Sequence, residues 1–257
     1  MKKRFILVVG GGKFGKKAVE YGLKHNYSII VIDNRHNCIV NNSADKIFNN
    51  YDEFLKKINN LTEKKVFLLI SDVSITYKLI KDFLPELIIP VVPIHLMANI
   101  IIQFLRENSI NLKASPSQTL EFIKNSNPDL ILGYNPNKGT IYLSYAKENE
   151  KCPDNCTGPP DYCPNFKREK PITITDFVRN QFGMSKLYKF DVNNNKIIIS
   201  IESFQLTSGL GGLKGTDVES IINNLKNDLY LFQHGIKLAI STTCNCHGVI
   251  NFYEKEA

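Results

Sequence analysis

The sequence predicts an α/β protein. A Rossmann-like parallel-sheet domain over residues 1–128 is followed by a smaller α+β domain over 129–257 with a cysteine-rich loop. Three observations predict this. Short apolar runs alternate with helical periods through the first half, the pattern of parallel strands joined by crossover helices. The first run, Phe5–Val9, enters Gly10-Gly11-Gly12-Lys13-Phe14-Gly15, a G-x-G-x-x-G loop. Five of the six cysteines fall in two groups in the second half: Cys152, Cys156 and Cys163, then Cys244 and Cys246 beside His247.

The elements follow in order. Phe5–Val9 is a buried strand, and the helical period from Lys13 reaches about His25. Ser28–Ile32 is a second strand ending at Asp33, Asp45–Phe48 a short third, and Asp52–Asn59 a helix. Val66–Ile70 reads as a strand bounded by Lys64-Lys65 and Ser71-Asp72. A helix over Ser74–Phe83, a β-branched run at Leu87–Val92 and a helix over Leu96–Glu107 continue the alternation. A short strand spans Asn111–Ala114, and Ser115-Pro116 starts a helix to Asn125 with a serine cap and first-turn proline. The texture then changes. Leu130–Leu132 and Thr140–Ala146 are strands around a Pro/Gly turn, whereas Glu148–Lys170 has little periodicity and many Pro, Cys and charged residues. A loop of that length needs a stabiliser or a function. Lys186–Val192 and Lys196–Leu206 form a hairpin around three asparagines. The glycine-rich stretch Gly209–Gly215 reads as a loop before a helix that opens on Thr216-Asp217-Val218-Glu219 and runs to Asn227. Strands at Ile236–Thr242 and Val249–Tyr253 close the chain around Cys244–His247.

The glycine loop has the context that gives its motif chemical meaning. Gly10 permits the tight turn, Gly12 lets a pyrophosphate approach the backbone, and Gly15 lets the helix pack on the strand. The helix N-terminus, with Lys13 and Phe14 in its first turn, offers unpaired N–H groups and the positive end of a dipole to phosphates. Asp33, with Asn34 next to it, stands about twenty residues on, where a carboxylate accepts both ribose hydroxyls. NAD is therefore expected over NADP, although Arg35 could receive a 2′-phosphate.

Ile6–Asp33 and the following Ala44-Asp45 resemble the NAD-binding regulatory domains of potassium-transport systems. The same stretch is similar to the dehydrogenase domain of siroheme synthases, which share the Val-Gly-Gly-Gly-Lys start found here at Val9–Lys13. The resemblance covers roughly the first ninety residues. The first family implies NAD binding through Gly10, Gly12, Gly15 and Asp33 in a regulatory role. The second implies NAD-dependent tetrapyrrole oxidation. Neither accounts for the cysteine-bearing half.

The first thiol group has the spacing C-x3-C-x6-C, with prolines after Cys152 and Cys163 and Gly158-Pro159-Pro160 between. Those residues stiffen a loop that can preorganise three sulfurs. Cys244 or Cys246, or His247, could supply a fourth ligand or a separate site. Four thiolates suit an iron–sulfur cluster or tetrahedral zinc, and three with a histidine suit zinc. The Cys-Pro pairs lean towards iron–sulfur. A redox dithiol or a set of plain reduced thiols are the other readings. Cys38 stands alone and reads as a small buried residue.

Lesser candidates are His95, an acid or base at a strand's carboxyl end, and Gly211, Gly212 and Lys214 as an anion cradle. The hydrophobic share of 43% supports a core. The net charge of +7 comes from dispersed lysines, which points away from nucleic acid and towards a small anionic ligand. Lys2-Lys3-Arg4 before Phe5–Val9 mimics a secretory signal, but the apolar run stops at glycines. Leu87–Ile102 is broken by Pro90, Pro93, His95 and Asn99, so no membrane span is read. A cytoplasmic location is expected, where clustered thiols favour metal or redox chemistry over disulfides. Homo-oligomerisation is left open. The expected function is an NAD(P)-linked oxidoreductase with a cysteine-ligated metal or iron–sulfur centre and a small anionic substrate. The alternative is a nucleotide-sensing regulatory or metallocofactor-assembly protein that binds NAD and metal without turnover.

Overall fold

The computed structural model describes residues 4–58 and 65–256. Lys2-Lys3, Asn59 at the end of an expected helix, and Lys64 lie outside the described residues. In chain order the elements are β1 (Phe5–Val9), α1 (Lys13–Lys24), β2 (Ser28–Asp33), β3 (Lys46–Phe48), α2 (Tyr51–Ile58), β4 (Val66–Ile70), α3 (Ile75–Phe83), β5 (Leu87–Pro90), α4 (Leu96–Glu107), β6 (Leu112–Ala114), α5 (Pro116–Lys124), β7 (Ile131–Asn135) and β8 (Thr140–Ser144). Then come β9 (Tyr162–Cys163), β10 (Arg168–Glu169), α6 (Ile174–Phe182), β11 (Tyr188–Asp191), β12 (Lys196–Glu202), β13 (Phe204–Thr207), β14 (Leu210–Lys214), α7 (Gly215–Asn227), β15 (Lys237–Thr243) and β16 (His247–Lys255). The protein is mixed α/β, with parallel and antiparallel strands.

Two compact units divide the chain: residues 1–100 with 210–219, and residues 101–209 with 220–257. The change of texture near residue 128 is not where they part. β6 pairs with β16, and α5 packs on β16, so both belong with the second sheet.

In the first unit β5, β1, β2, β4 and β3 lie side by side in that order, all parallel. Ile6, Val8, Ile29, Val31, Leu68 and Ile89 are fully buried, as expected of strands covered on both faces. Each such side chain contributes roughly 1.5–3 kcal/mol through burial. The buried face of α1 is Gly15, Ala18, Val19 and Gly22, a helical i, i+3, i+4, i+7 stripe of small residues. Small size is required there, because a Cβ on Gly22 would lie 2.5 Å from the Ile6 side chain. At one edge, Phe48 meets Phe54 at a ring separation of 5.4 Å, and Phe54 meets Phe83 at 5.9 Å.

The stretch expected as a glycine-rich loop at Gly209–Gly215 is instead strand β14, antiparallel to β5 with Leu213 opposite Ile88 and Lys214 opposite Leu87. Leu210 and Leu213 are buried and anchor it. The glycines let its backbone run close to its neighbours: a Cβ on Gly215 would stand 1.7 Å from the Pro85 carbonyl oxygen.

The second unit is built on a sheet ordered β11-β12-β15-β16-β8-β7. Only β12 and β15 run parallel in it. α6 packs on β12, β15 and β16. Its residues Ile174, Phe177 and Val178 enter a core with Phe122, Ile141, Ile198 and Phe252. Among the described residues no helix is long and apolar enough to cross a membrane.

Candidate functional site

The glycine turn sits at the carboxyl ends of β1, β2, β4 and β5. The strand after β1 pairs on one side of it and β5 on the other, which opens a crevice above β1. Gly10 has φ +112°, and a Cβ there would lie 2.6 Å from the Val91 carbonyl oxygen. A Cβ on Gly15 would lie 2.1 Å from the Gly10 carbonyl oxygen, so the first turn of α1 rests directly on the loop. Gly12 differs. It is the N-cap of α1, and a Cβ there meets nothing within 4 Å. No acidic side chain stands in the first turn of α1. An open backbone and an unblocked positive helix end therefore coincide.

Asp33 ends β2, buried. Its Oδ2 accepts the Gly11 amide at 2.7 Å, and its Oδ1 accepts the Arg35 amide at 2.9 Å and Nε at 3.2 Å. Burial alone would raise its pKa, but the Arg35 guanidinium and the Gly11 and Arg35 amides hold the carboxyl below its ordinary value. A cavity of about 440 Å³ opens here, lined by Gly10, Gly12, Asp33–Arg35, Ser71–Val73 and Val91–Ile94. Asn34 lines the same cavity. Lys13 is exposed and Phe14 half-buried on the first turn of α1, and neither is in the lining. His95 directly follows the lining residue Ile94 and begins the approach to α4, without lining the cavity itself. Asp72 is in the lining, and its Oδ1 also accepts the Ser74 amide at 2.9 Å. Gly211, Gly212 and Lys214 lie in β14, not in a loop. Cys38 is buried as expected, and a Cβ on Gly11 would lie 2.6 Å from its sulfur.

The second unit brings both thiol groups together. β15 ends at Thr243 and β16 begins at His247, so Cys244, Asn245 and Cys246 form the turn between adjacent antiparallel strands. The Cys244 amide donates to the His247 carbonyl at 2.8 Å and closes that turn. The loop from β8 to β9 is tied to it: Asn245 Nδ2 donates to the Gly158 carbonyl at 2.9 Å. Gly209 N at 2.7 Å and Gln205 Nε2 at 3.0 Å donate to the Cys156 carbonyl and hold the loop from its other side. Arg168 pairs with Glu150 at 2.8 Å and also donates to the Tyr145 carbonyl, pinning the loop's ends.

Within this frame Cys152 Sγ is 3.4 Å from His247 Nε2, and Cys244 Sγ is 4.0 Å from His247 Nδ1. Cys156 Sγ accepts the Gly158 amide at 3.3 Å and Asn165 Nδ2 at 3.4 Å. Cys163 is buried, opposite Arg168 in the β9–β10 ladder. Burial, then the neighbouring Cys156, Cys163, Cys246 and Cys244, push the Cys152 thiol up to about 11. Burial likewise raises Cys244, and burial with the Lys170 charge lowers His247. All six cysteines are free thiols. Among the described residues no three His, Cys, Asp or Glu side chains are placed to hold a metal ion as they stand.

Sequence reasoning missed Lys170. It is only 4% exposed, and its Nζ lies 3.0 Å from Cys246 Sγ, donates to the Pro159 carbonyl, and sits 6.0 Å from the Tyr145 ring centre. Nothing in Arg168-Glu169-Lys170 distinguishes the last residue from a solvated lysine.

Residues 97–256 match the model of the AF_1314 C-terminal domain, and residues 6–96 that of the AF_1314 N-terminal domain, both described as parts of an uncharacterized protein. The chain is similar to an uncharacterized protein of Archaeoglobus fulgidus, 26% identical over 247 residues, which cover 95% of this chain and 96% of that protein. No solved structure matches. The chain belongs to the AF_1314 family and carries both of its domains in order.

Proposed function

We propose that the N-terminal unit is a Rossmann-like site for NAD(H) and that the chain acts as a nucleotide-sensing protein. The observation that carries the reading is the 440 Å³ cavity that joins Gly12 at the start of α1 to Asp33 at the end of β2. The open space at Gly12 fits a pyrophosphate against the backbone, with the N-terminus of α1 facing its charge. Asp33 is held as an anion; its two bonds to the exposed Arg35 guanidinium are the ones that ribose hydroxyls would replace, and Asn34 stands beside it. Bound NAD would supply hydride acceptance at its nicotinamide ring. The two carboxylates lining the cavity, Asp33 and Asp72, are engaged by backbone amides at 2.7–2.9 Å, which suits them to fixing a bound ligand in place and supports the sensing reading.

The second reading is an NAD(P)-linked oxidoreductase acting on a small anionic substrate. The gathering of five thiols and His247 in the C-terminal unit favours it. Adding NADH to the pure protein with candidate oxidants under anaerobic conditions separates the two. Saturable binding with an unchanged reduced-nicotinamide absorbance band is expected for sensing. Steady oxidation of NADH would replace that reading with the second.

A further inference from the structure

Lys170 poses a charge problem that the nucleotide reading leaves untouched. A buried lysine head is favoured by acceptors and by negative charge close to it. The partners of its Nζ are the Pro159 carbonyl, the Cys246 sulfur and the Tyr145 ring, and none of them is a carboxylate. The lysine head is set against sulfur, at 3.0 Å.

The other sulfurs are treated the same way. Cys156 Sγ receives two N–H groups, from the Gly158 backbone and from Asn165. Two N–H groups thus converge on one sulfur, as hydrogen bonds do on the sulfurs of a metal centre. N–H donors and cations around thiolates are the outer-shell pattern that tunes and orients metal ligands. The donors come from two places far apart in sequence, Cys152–Cys163 and Cys244–His247, which β-sheet pairing and the Asn245–Gly158 hydrogen bond bring together.

We propose that Cys152, Cys156, Cys163, Cys244 and Cys246, with His247, form a site for a thiolate-ligated soft metal centre, and that Lys170 is the counter-charge of that centre. Four thiolates around a divalent ion, or around an iron–sulfur cluster, leave a net negative charge that a buried lysine offsets. The sulfurs around one tetrahedral zinc stand about 3.8 Å apart, given a Zn–S bond of about 2.3 Å. The loop carrying Cys152 and Cys156 is already tied to the Cys244–His247 turn through Asn245, with Cys152 Sγ 3.4 Å from His247 Nε2. Lys170 acts here through the ligands, as a positioning residue.

The full chain, purified anaerobically, is assayed for metal and acid-labile sulfide. After chelation it is titrated with Co(II) alone, and separately with ferrous iron plus sulfide. Zinc at about one per chain with a tetrahedral Co(II)–thiolate spectrum supports a single-ion site. Iron matched by labile sulfide with a charge-transfer spectrum supports a cluster. Serine at Cys152, Cys156 or Cys163 should lower occupancy in either case. Lys170→Met should weaken Co(II) or cluster retention about 10–100-fold, with Lys170→Arg recovering most of it. If Lys170→Met does not fold, Asn165→Ala, which removes one donor to Cys156, should show a smaller loss. Absence of metal uptake in both titrations, or a disulfide among these cysteines in the anaerobic protein, overturns the site. Unchanged affinity in a folded Lys170→Met overturns the role of the lysine. The proposal stands apart from the nucleotide reading, and its metal and sulfide readouts do not depend on NAD(H).

Discussion

Asp33 Oδ2 accepts the Gly11 amide at 2.7 Å, so the carboxylate at the end of β2 is built into the glycine turn that follows β1. One bond fixes the position of the acidic group relative to the open backbone at Gly12. Arg35 completes the arrangement by holding Oδ1 through its own amide and Nε. The end of β2 and the glycine turn are thus set relative to each other by the fold itself.

Gly12 and Gly15 should separate in their effects. Gly12→Val should cost about 1 kcal/mol, the scale of losing a favourable N-cap residue, and leave the fold intact, because a Cβ there meets nothing within 4 Å. It should nonetheless block close approach to the backbone and abolish measurable NAD(H) binding. Gly15→Ala should destabilise by about 1–3 kcal/mol or more by overpacking, since its Cβ would press on the Gly10 carbonyl. Denaturant melts alongside binding measurements check both.

Asp33→Asn should weaken NAD(H) about 10–100-fold, the scale of a hydrogen bond to a charged acceptor. It should also relax discrimination against NADP(H). Arg35 is well exposed, at 64% of its side chain, and is free to turn towards a 2′-phosphate when Asp33 no longer holds it. The pH dependence has a definite sign. The folded Asp33 carboxyl is depressed, so its contribution to stability is fully present above its unfolded value of about 3.9 and is lost as pH falls through the folded value. NAD(H) affinity should therefore be flat from about pH 8 to 5 with respect to this group.

The cysteine loop should loosen in acid. The Arg168 guanidinium and the Lys147 amide hold Glu150 down to about 2. A depressed carboxyl stabilises above its unfolded value of about 4.3, and that contribution disappears as pH falls towards about 2. Glu150→Gln should mimic the acid state at neutral pH. Faster proteolytic cleavage within residues 146–161, with the sheet intact by circular dichroism, is the expected result.

Much of this was legible in the sequence because periodicity and turn chemistry agreed. β1, β4 and α4 match their expected bounds, since apolar runs ended at glycine, charge or proline. Helix α6 was missed although its signals are present: Thr173 caps the Asp176 amide at 3.0 Å, and Gly183 ends the helix at φ +57°. The cysteine-rich surroundings masked a short helix. β14 was misread because four glycines in seven residues look like a loop; its strand character comes from pairing with β5, which is a tertiary fact. Burial of Lys170 is also tertiary, set by how the loop folds over the Cys244–His247 turn.

The cap of α6 gives a direct stability test. Thr173→Ala should cost about 1 kcal/mol, because the threonine satisfies the Asp176 amide and its own hydroxyl donates to the Asp176 carboxylate at 2.7 Å. The loss should appear as a lowered denaturation midpoint of the second unit, where Ile174 and Val178 enter the core.

The most direct test of the central claim is calorimetric titration of the full chain with NADH and with NADPH at the same ionic strength. The account predicts saturable one-site binding of NADH, weaker binding of NADPH, and loss of both in Gly12→Val with its fold retained. Failure of NADH to bind the folded wild-type chain would contradict it, and so would undiminished binding by Gly12→Val.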